Sequence, residues 1–151
     1  MQVSEILEKK GDRVVSIHQT ATIAAVAEKL SQERVGALVV KVNGGDLAGI
    51  ISERDIVRGI AEHGPAAMDL PVSELMSQSL VTCSPKSSTE DVMTQMLERQ
   101  IRHLPVIRDN ALVGIISIGD VVKAVLSELR WMTKILQDQV VAAAGRSADE
   151  E

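Results

Sequence analysis

Two segments of this sequence place a hydroxyl three residues before a carboxylate: Gly49-Ile50-Ile51-Ser52-Glu53-Arg54-Asp55 and Gly114-Ile115-Ile116-Ser117-Ile118-Gly119-Asp120. At the start of a helix, side chains three apart lie on the same side, so each Ser and Asp can face one cleft. The same spacing is a capping box, in which the pair only satisfies free N–H groups of the helix, and a duplicated cap repeats as faithfully as a duplicated site. The segments alone favour the cap. A site requires further polar groups converging on the same place.

Arg102-His103-Leu104-Pro105-Val106 supplies such groups. Arg102 and His103 precede a buried strand where the chain enters the core, so at least one is expected to point into the cleft beside Ser117. A guanidinium and an imidazole there, with the Ser117 hydroxyl and the helix N–H groups, suit an anion, above all a phosphate. The plain alternative is a solvated Arg102 and a His103 that closes a strand end. The matching positions of the first segment are Gly36 and Ala37, which carry no charge, so the two clefts are expected to differ. Arg54 and Arg58, one helical turn apart, are the first cleft's candidates for reaching phosphates, unless they are merely a solvated face.

Other chemistry finds little footing. The sequence holds no G-x-x-x-x-G-K-[ST] loop, no G-x-G-x-x-G, no G-x-S-x-G and no paired Cys or H-x-x-x-H spacing. Cys83, the single cysteine, lies in an apolar pattern that suits a buried, inert thiol and excludes an internal disulfide. His18 and His63 fall at turns, the latter at the negative end of a helix.

The elements that must position these residues come twice. Val3-Ser4-Glu5-Ile6-Leu7 returns as Val72-Ser73-Glu74-Leu75-Met76, and Gly49–Arg58 returns as Gly114–Lys123 at a shift of 65. Between them Val15, Val26, Leu30, Val35, Leu38 and Val40 match Val81, Val92, Met96, Ile101, Leu104 and Val106 at a shift of 66. Each copy reads as a short strand (Arg13–Ile17; Leu80–Cys83), a helix capped by Thr22 or by Ser88 or Thr89, a hairpin, and a second helix from Ser52 or Ser117. The turn Asn43-Gly44-Gly45-Asp46 marks the first hairpin. Residues 1–64 form the first repeat, 65–71 a linker, 72–127 the second repeat, 128–144 a helical extension ending before Gly145, and 145–151 a polar tail.

A repeat of this length barely buries its own faces, so the copies are expected to pack together about a pseudo-twofold axis, with a cleft between them. On the last helix Val122, Val125, Leu126, Leu129, Met132, Ile135, Leu136 and Val140 form an apolar stripe too long for that unit to cover, which implies a second subunit. The chain has 151 residues, 45% hydrophobic but only 1% aromatic, with one Trp and no Tyr or Phe, so its core is aliphatic and base-stacking platforms and aromatic cages are excluded. A net charge of −5 opposes a nucleic-acid footprint, and charges interrupt every apolar stretch before it could cross a membrane. With one cysteine and no signal sequence at Met1–Glu5, the sequence reads as cytoplasmic.

Taken together, the doubled pattern, Gly-Ile-Ile-Ser-Glu-Arg-Asp-Ile-Val-Arg, Arg-His-Leu-Pro-Val and Gly-Ile-Ile-Ser-Ile-Gly-Asp-Val-Val resemble a pair of CBS domains, the Bateman module, over about residues 3–127. The resemblance implies an α+β fold: two pseudo-twofold related strand-helix-strand-strand-helix repeats packed together, here with a long C-terminal helix. It implies a non-enzymatic regulatory module that binds AMP, ADP, ATP, NAD or, less readily, S-adenosylmethionine, without a metal. In the family the Asp of the motif holds the ribose, which maps to Asp55 and Asp120, and Ser52 and Ser117 lie near phosphate. Arg102 and His103 map to positions that meet phosphates in the family's nucleotide sensors. Adenine would lie between aliphatic side chains, which maps to Val14 and Val81 with Val35 and Ile101, flanked by Leu80 and Pro105. The resemblance further implies disc-shaped homodimers, head-to-head or head-to-tail, and the readout is expected to be a partner protein or a change in the dimer. The alternative is a ligand-independent interaction scaffold.

Overall fold

The computed structural model describes residues 1–11, 13–78 and 81–149. The chain runs through α1 (Val3–Lys10), β1 (Ser16–His18), α2 (Ile23–Glu33), β2 (Ala37–Lys41), β3 (Leu47–Ser52) and α3 (Glu53–His63). Two short 3-10 turns, Gly64–Asp69 and Val72–Glu74, lead into α4 (Thr89–Arg99), β4 (His103–Arg108), β5 (Ala111–Ser117) and α5 (Ile118–Asp149).

Local chemistry fixes most of these bounds. Thr22 Oγ1 accepts the N–H of Ala25 at 3.2 Å and Ser88 Oγ accepts that of Asp91 at 3.0 Å, capping α2 and α4. Both helices bury one face, Ile23, Val26 and Leu30 in α2 and Val92 and Met96 in α4, and both end on a left-handed residue, Arg34 or Gln100. The β2–β3 hairpin turns at Gly44 and Gly45, both at positive φ, whereas β4–β5 turns at Asp109 and Asn110, two residue types that tolerate that region.

In the first repeat β1 pairs in parallel with β2, and β2 antiparallel with β3. Among its described residues the second repeat has the two strands β4 and β5, antiparallel. Of the strand expected over Leu80–Cys83, the described residues 81–83 make no more than an isolated bridge. Cys83 alone joins β4, donating to Pro105 O at 3.1 Å and accepting from Ile107 N at 2.8 Å. Ser84 then turns away with its N–H on Ser87 Oγ, leaving no length for a ladder. Leu80 lies outside the described residues. The first strand also begins later than Arg13, at Ser16, and Arg13 forms an ion pair with Glu33.

Two aliphatic cores result, and the repeats exchange their leading segments. Val3 and Ile6 of α1 are buried with Val92, Leu104, Ile116 and Val121 of the second repeat, while Val72 is buried with Ile23, Leu38 and Ile51 of the first. Glycines make room for these visitors. A Cβ on Gly114 would meet Leu7, and one on Gly49 would meet Met76 and the carbonyl of Ser77. Each half is thus completed by a piece of the other, which makes them one folding unit.

Helix α5 spans 32 residues and passes through Gly145 to Asp149, beyond the end expected at Ala144. One interior glycine costs only about 1 kcal/mol, which the good helix formers around it offset. Along it Leu126, Leu129, Met132, Leu136 and Val140 are exposed.

Candidate functional site

Both Ser-x-x-Asp pairs form helix caps. At α3 the N–H of Ser52 donates to Asp55 Oδ2 at 2.8 Å, and the Ser52 hydroxyl donates to the same oxygen at 3.1 Å. At α5 the N–H of Ser117 donates to Asp120 Oδ2 at 2.9 Å while the N–H of Asp120 donates to Ser117 Oγ at 3.2 Å. The capping chemistry is therefore present in both copies, and what else reaches each pair separates them.

A cavity of about 220 Å³ opens between the repeats at the α3 pair. From the first repeat it is lined by Ser52, Arg54, Asp55 and Arg58, and from the second by Val81, Ile101, Arg102, His103 and Pro105. Nine residues singled out in the sequence thus come together. Asp55 retains an oxygen, Oδ1, whose neighbour Arg58 lies 3.8 Å away, too far for a hydrogen bond. Three guanidiniums and two carboxylates, Glu53 and Asp55, line the cleft and leave it a positive excess.

The expectation that Arg102 and His103 serve the cleft of Ser117 is corrected here. Their backbone does adjoin it: His103 pairs with Ser117 across β4 and β5, and Arg102 O accepts the N–H of Ile118 at 2.8 Å. The residues themselves line the other cleft, because the pseudo-twofold axis carries this end of β4 against the first repeat. The imidazole of His103 lies over Gly36, where a Cβ would stand 3.3 Å from its Cε1 and Nε2. A side chain at Gly36 would press on the ring, which would have to give by a few tenths of an ångström. Burial holds the His103 pKa below the ordinary histidine value, with Lys10 and Arg102 adding to that and Asp120 and Glu53 opposing it, so the ring is neutral at pH 7.

Ser117, Asp120, Val14 and Val35 do not join this cavity. Asp120 lines a separate hollow with Lys9, Lys10 and Lys123. Burial acts against its carboxylate, but hydrogen bonds from Lys10 and from Ser117 outweigh it and hold the pKa below the usual range. Val35 packs on the first core and Val14 is half-buried. The sequence does not point to Ile50, Glu53, Ser77 and Gln100 as lining residues, and it offers Gly36 only as the uncharged counterpart of Arg102. Gly36 and Gln100 adjoin the apolar positions of the repeat and could have been reached by pairing each copy's motif with the other's.

Little here supports covalent chemistry. Burial pushes the Cys83 thiol up to about 11, so it is no thiolate at neutral pH. His18 ties a turn together through Thr20 and Asn43, and His63 stands exposed at the end of α3. Among the described residues no cluster of three His, Cys, Asp or Glu could hold a metal, and no helix is long and apolar enough to cross a membrane.

The family model described as CBS domain matches the chain twice, over residues 3–62 and 72–127. The mitochondrial CBS domain-containing protein CBSX3 of Arabidopsis thaliana is 40% identical over 113 residues, which take in 72% of this chain and 55% of that protein. The chain therefore spans about half the length of that relative. The crystal structure of a CBS-domain containing protein from Agrobacterium tumefaciens superposes with a TM-score of 0.80 at 39% identity, covering 82% of this chain and 92% of that one. A CBS domain pair crystallised with methylthioadenosine and S-adenosyl-L-methionine shares the fold at a TM-score of 0.74 and 22% identity, covering 85% and 98% of the two chains.

Proposed function

The chain belongs to the CBS-domain family, and on that premise we propose that it is a regulatory module that binds an adenosine-containing nucleotide, AMP, ATP or NAD, between its repeats. One observation carries this reading: Asp55, with an oxygen to spare, lies in the same cavity as Arg54, Arg58, Arg102 and His103. The carboxylate accepts from a ribose diol, and the basic groups of both repeats meet phosphate. Val81, Ile101 and Pro105 supply the apolar wall for the base, in keeping with a chain that has no Tyr or Phe to stack on it. Methylthioadenosine and S-adenosyl-L-methionine in a pair of the same fold are a fold-level analogy for an adenosine ligand.

A few charge-assisted hydrogen bonds of roughly 1.5–3 kcal/mol each, with burial of the base, work against an association cost of about 4–15 kcal/mol. A surplus near −5 to −8 kcal/mol corresponds to roughly micromolar to sub-millimolar dissociation constants, the range in which occupancy follows cellular nucleotide levels. The ligand is bound and not turned over. The response passes to a partner protein or through a homodimer, by way of the exposed stripe on α5, in a cytoplasmic setting.

Titration calorimetry with adenosine, AMP, ATP and NAD tests the reading, and release of the ligand unaltered after long incubation tests the absence of turnover. Because Trp131 is the only strong chromophore of the chain, a co-purified adenine nucleotide would also dominate the ultraviolet spectrum. A second reading, an interaction scaffold that needs no ligand, draws on the caps formed by both Ser-x-x-Asp pairs and on the uncovered α5 stripe. Failure of all four compounds to bind would select it.

A further inference from the structure

The Asp120 pair differs from its twin through one side chain of α1. Lys10, the last residue of that helix, reaches the second repeat and donates to Asp120 Oδ2 at 2.7 Å and to the carbonyl oxygen of Ile115 at 2.9 Å. Ile115 is the counterpart of Ile50, whose carbonyl in the first repeat is taken by the backbone N–H of Ser77 at 2.9 Å. The exchanged segments thus diverge. The one from the second repeat pairs with the strand by its backbone as far as Ser77, whereas α1 continues as a helix and lays an ammonium on Asp120 Oδ2.

Several substitutions point the same way. Gly119 stands where the first repeat has Arg54, and the counterparts of Arg102 and His103 are Gly36 and Ala37. A ribose diol donating to Asp120 Oδ2 would have to displace an ammonium held at 2.7 Å and leave that cation without its partner, an unfavourable exchange. At Asp55 the nearest cation, Arg58, stands 3.8 Å from Oδ1 and is 68% exposed, so the diol displaces only a weak, solvated ion pair.

We infer that Lys10 plugs the second cleft, so that each chain takes one nucleotide, at Asp55, and the second cleft opens only when the end of α1 is released. The inference rests on the adenosine reading of the first cleft. Titration of AMP into the full chain counts the sites. Wild type binds one equivalent per chain, and Lys10→Met, which keeps the aliphatic stem and removes the ammonium, binds a second, weaker equivalent that survives in the Asp55→Asn, Lys10→Met double variant. Two equivalents on wild type, or a single one on Lys10→Met, would overturn the plug while leaving the adenosine reading intact. No binding of AMP, ATP or NAD by wild type would instead remove that reading and this inference with it. A measurement without ligand tests the contact itself: Lys10 undergoes reductive methylation severalfold more slowly in wild type than in Asp120→Asn, which keeps a capping oxygen, and equal rates would contradict the plug.

Discussion

The two clefts start from the same seven-residue pattern and reach different ends. At Asp55 Oδ1 makes no hydrogen bond among the described residues, Arg58 standing 3.8 Å away, and Arg102 and His103 join it from across the pseudo-twofold axis. At Asp120 Lys10 holds Oδ2, and the hollow around it is lined by α1 and α5, with Lys9, Lys10 and Lys123. Duplication reproduces the local part of a site, the cap and the spacing, because both are written within one helix turn. Completion of the site comes from the other copy, and there the two sequences have drifted apart.

Stability offers the largest contrast between the halves. At Gly49 a Cβ would lie 2.6 Å from the carbonyl oxygen of Ser77, which is held by two backbone hydrogen bonds to Ile50. At Gly114 it would lie 2.7 Å from the flexible end of Leu7. Gly49→Ala is therefore expected to cost about 1–3 kcal/mol, as for overpacking against a rigid neighbour. Gly114→Ala, which asks only for an off-rotamer Leu7, is expected to cost about 0.5–1.5 kcal/mol. Urea unfolding of both variants checks this, and equal losses would mean that the exchanged segments are equally rigid.

Ligand affinity gives the next contrast. Arg102→Ala is expected to weaken AMP roughly tenfold, the loss of one charge-assisted bond of about 1.5 kcal/mol, and to leave adenosine unchanged. Lys123→Ala, at the counterpart of Arg58 on the closed side, is expected to change neither. Calorimetry with the two ligands separates phosphate from ribose contacts; a loss in Lys123→Ala would move the phosphate to the second cleft.

Acid separates the clefts more gently. His103 has a lowered pKa in the fold, so the unfolded chain takes up its proton first: the stability it contributes is present above about pH 6.5 and is lost as pH falls toward the folded value. Wild type should therefore lose stability relative to His103→Gln over that window, by at most about 1.4 kcal/mol per pH unit. Asp120 also has a lowered pKa, but as a carboxylate its contribution is present above about pH 3.9 and fades as pH falls through the folded value. The advantage of wild type over Lys10→Met is thus expected to hold at pH 5–7 and to vanish in stronger acid. Unfolding curves across pH that showed both losses at the same pH would contradict the separate environments assigned to the two groups.

What the sequence could and could not reveal follows from which interactions are local. Helices α2 and α4 are readable because each carries its apolar spacing and its own cap, Thr22 or Ser88, within one short contiguous stretch of sequence. The hairpin at Asn43–Asp46 and the start of α3 at Ser52 were readable for the same reason. The exchange of α1 and residues 72–74 between the cores was not, since an apolar face does not say which partner it packs on. The placement of Arg102 and His103 failed in an instructive way: sequence nearness puts them at Ser117, and their backbone is there, but the axis presents the residues to Asp55. Lys10 gave no signal at all, being one lysine among helix formers until the fold brings it to Asp120.

The difference between the clefts is tested most directly by titrating AMP into Asp55→Asn and Asp120→Asn side by side, since both variants keep a capping oxygen and lose only the carboxylate charge. Affinity is expected to fall roughly ten- to a hundredfold in Asp55→Asn, in line with a charge-assisted bond of about 1.5–3 kcal/mol, and to stay unchanged in Asp120→Asn. The reverse, a loss at Asp120 with Asp55 dispensable, would contradict the assignment.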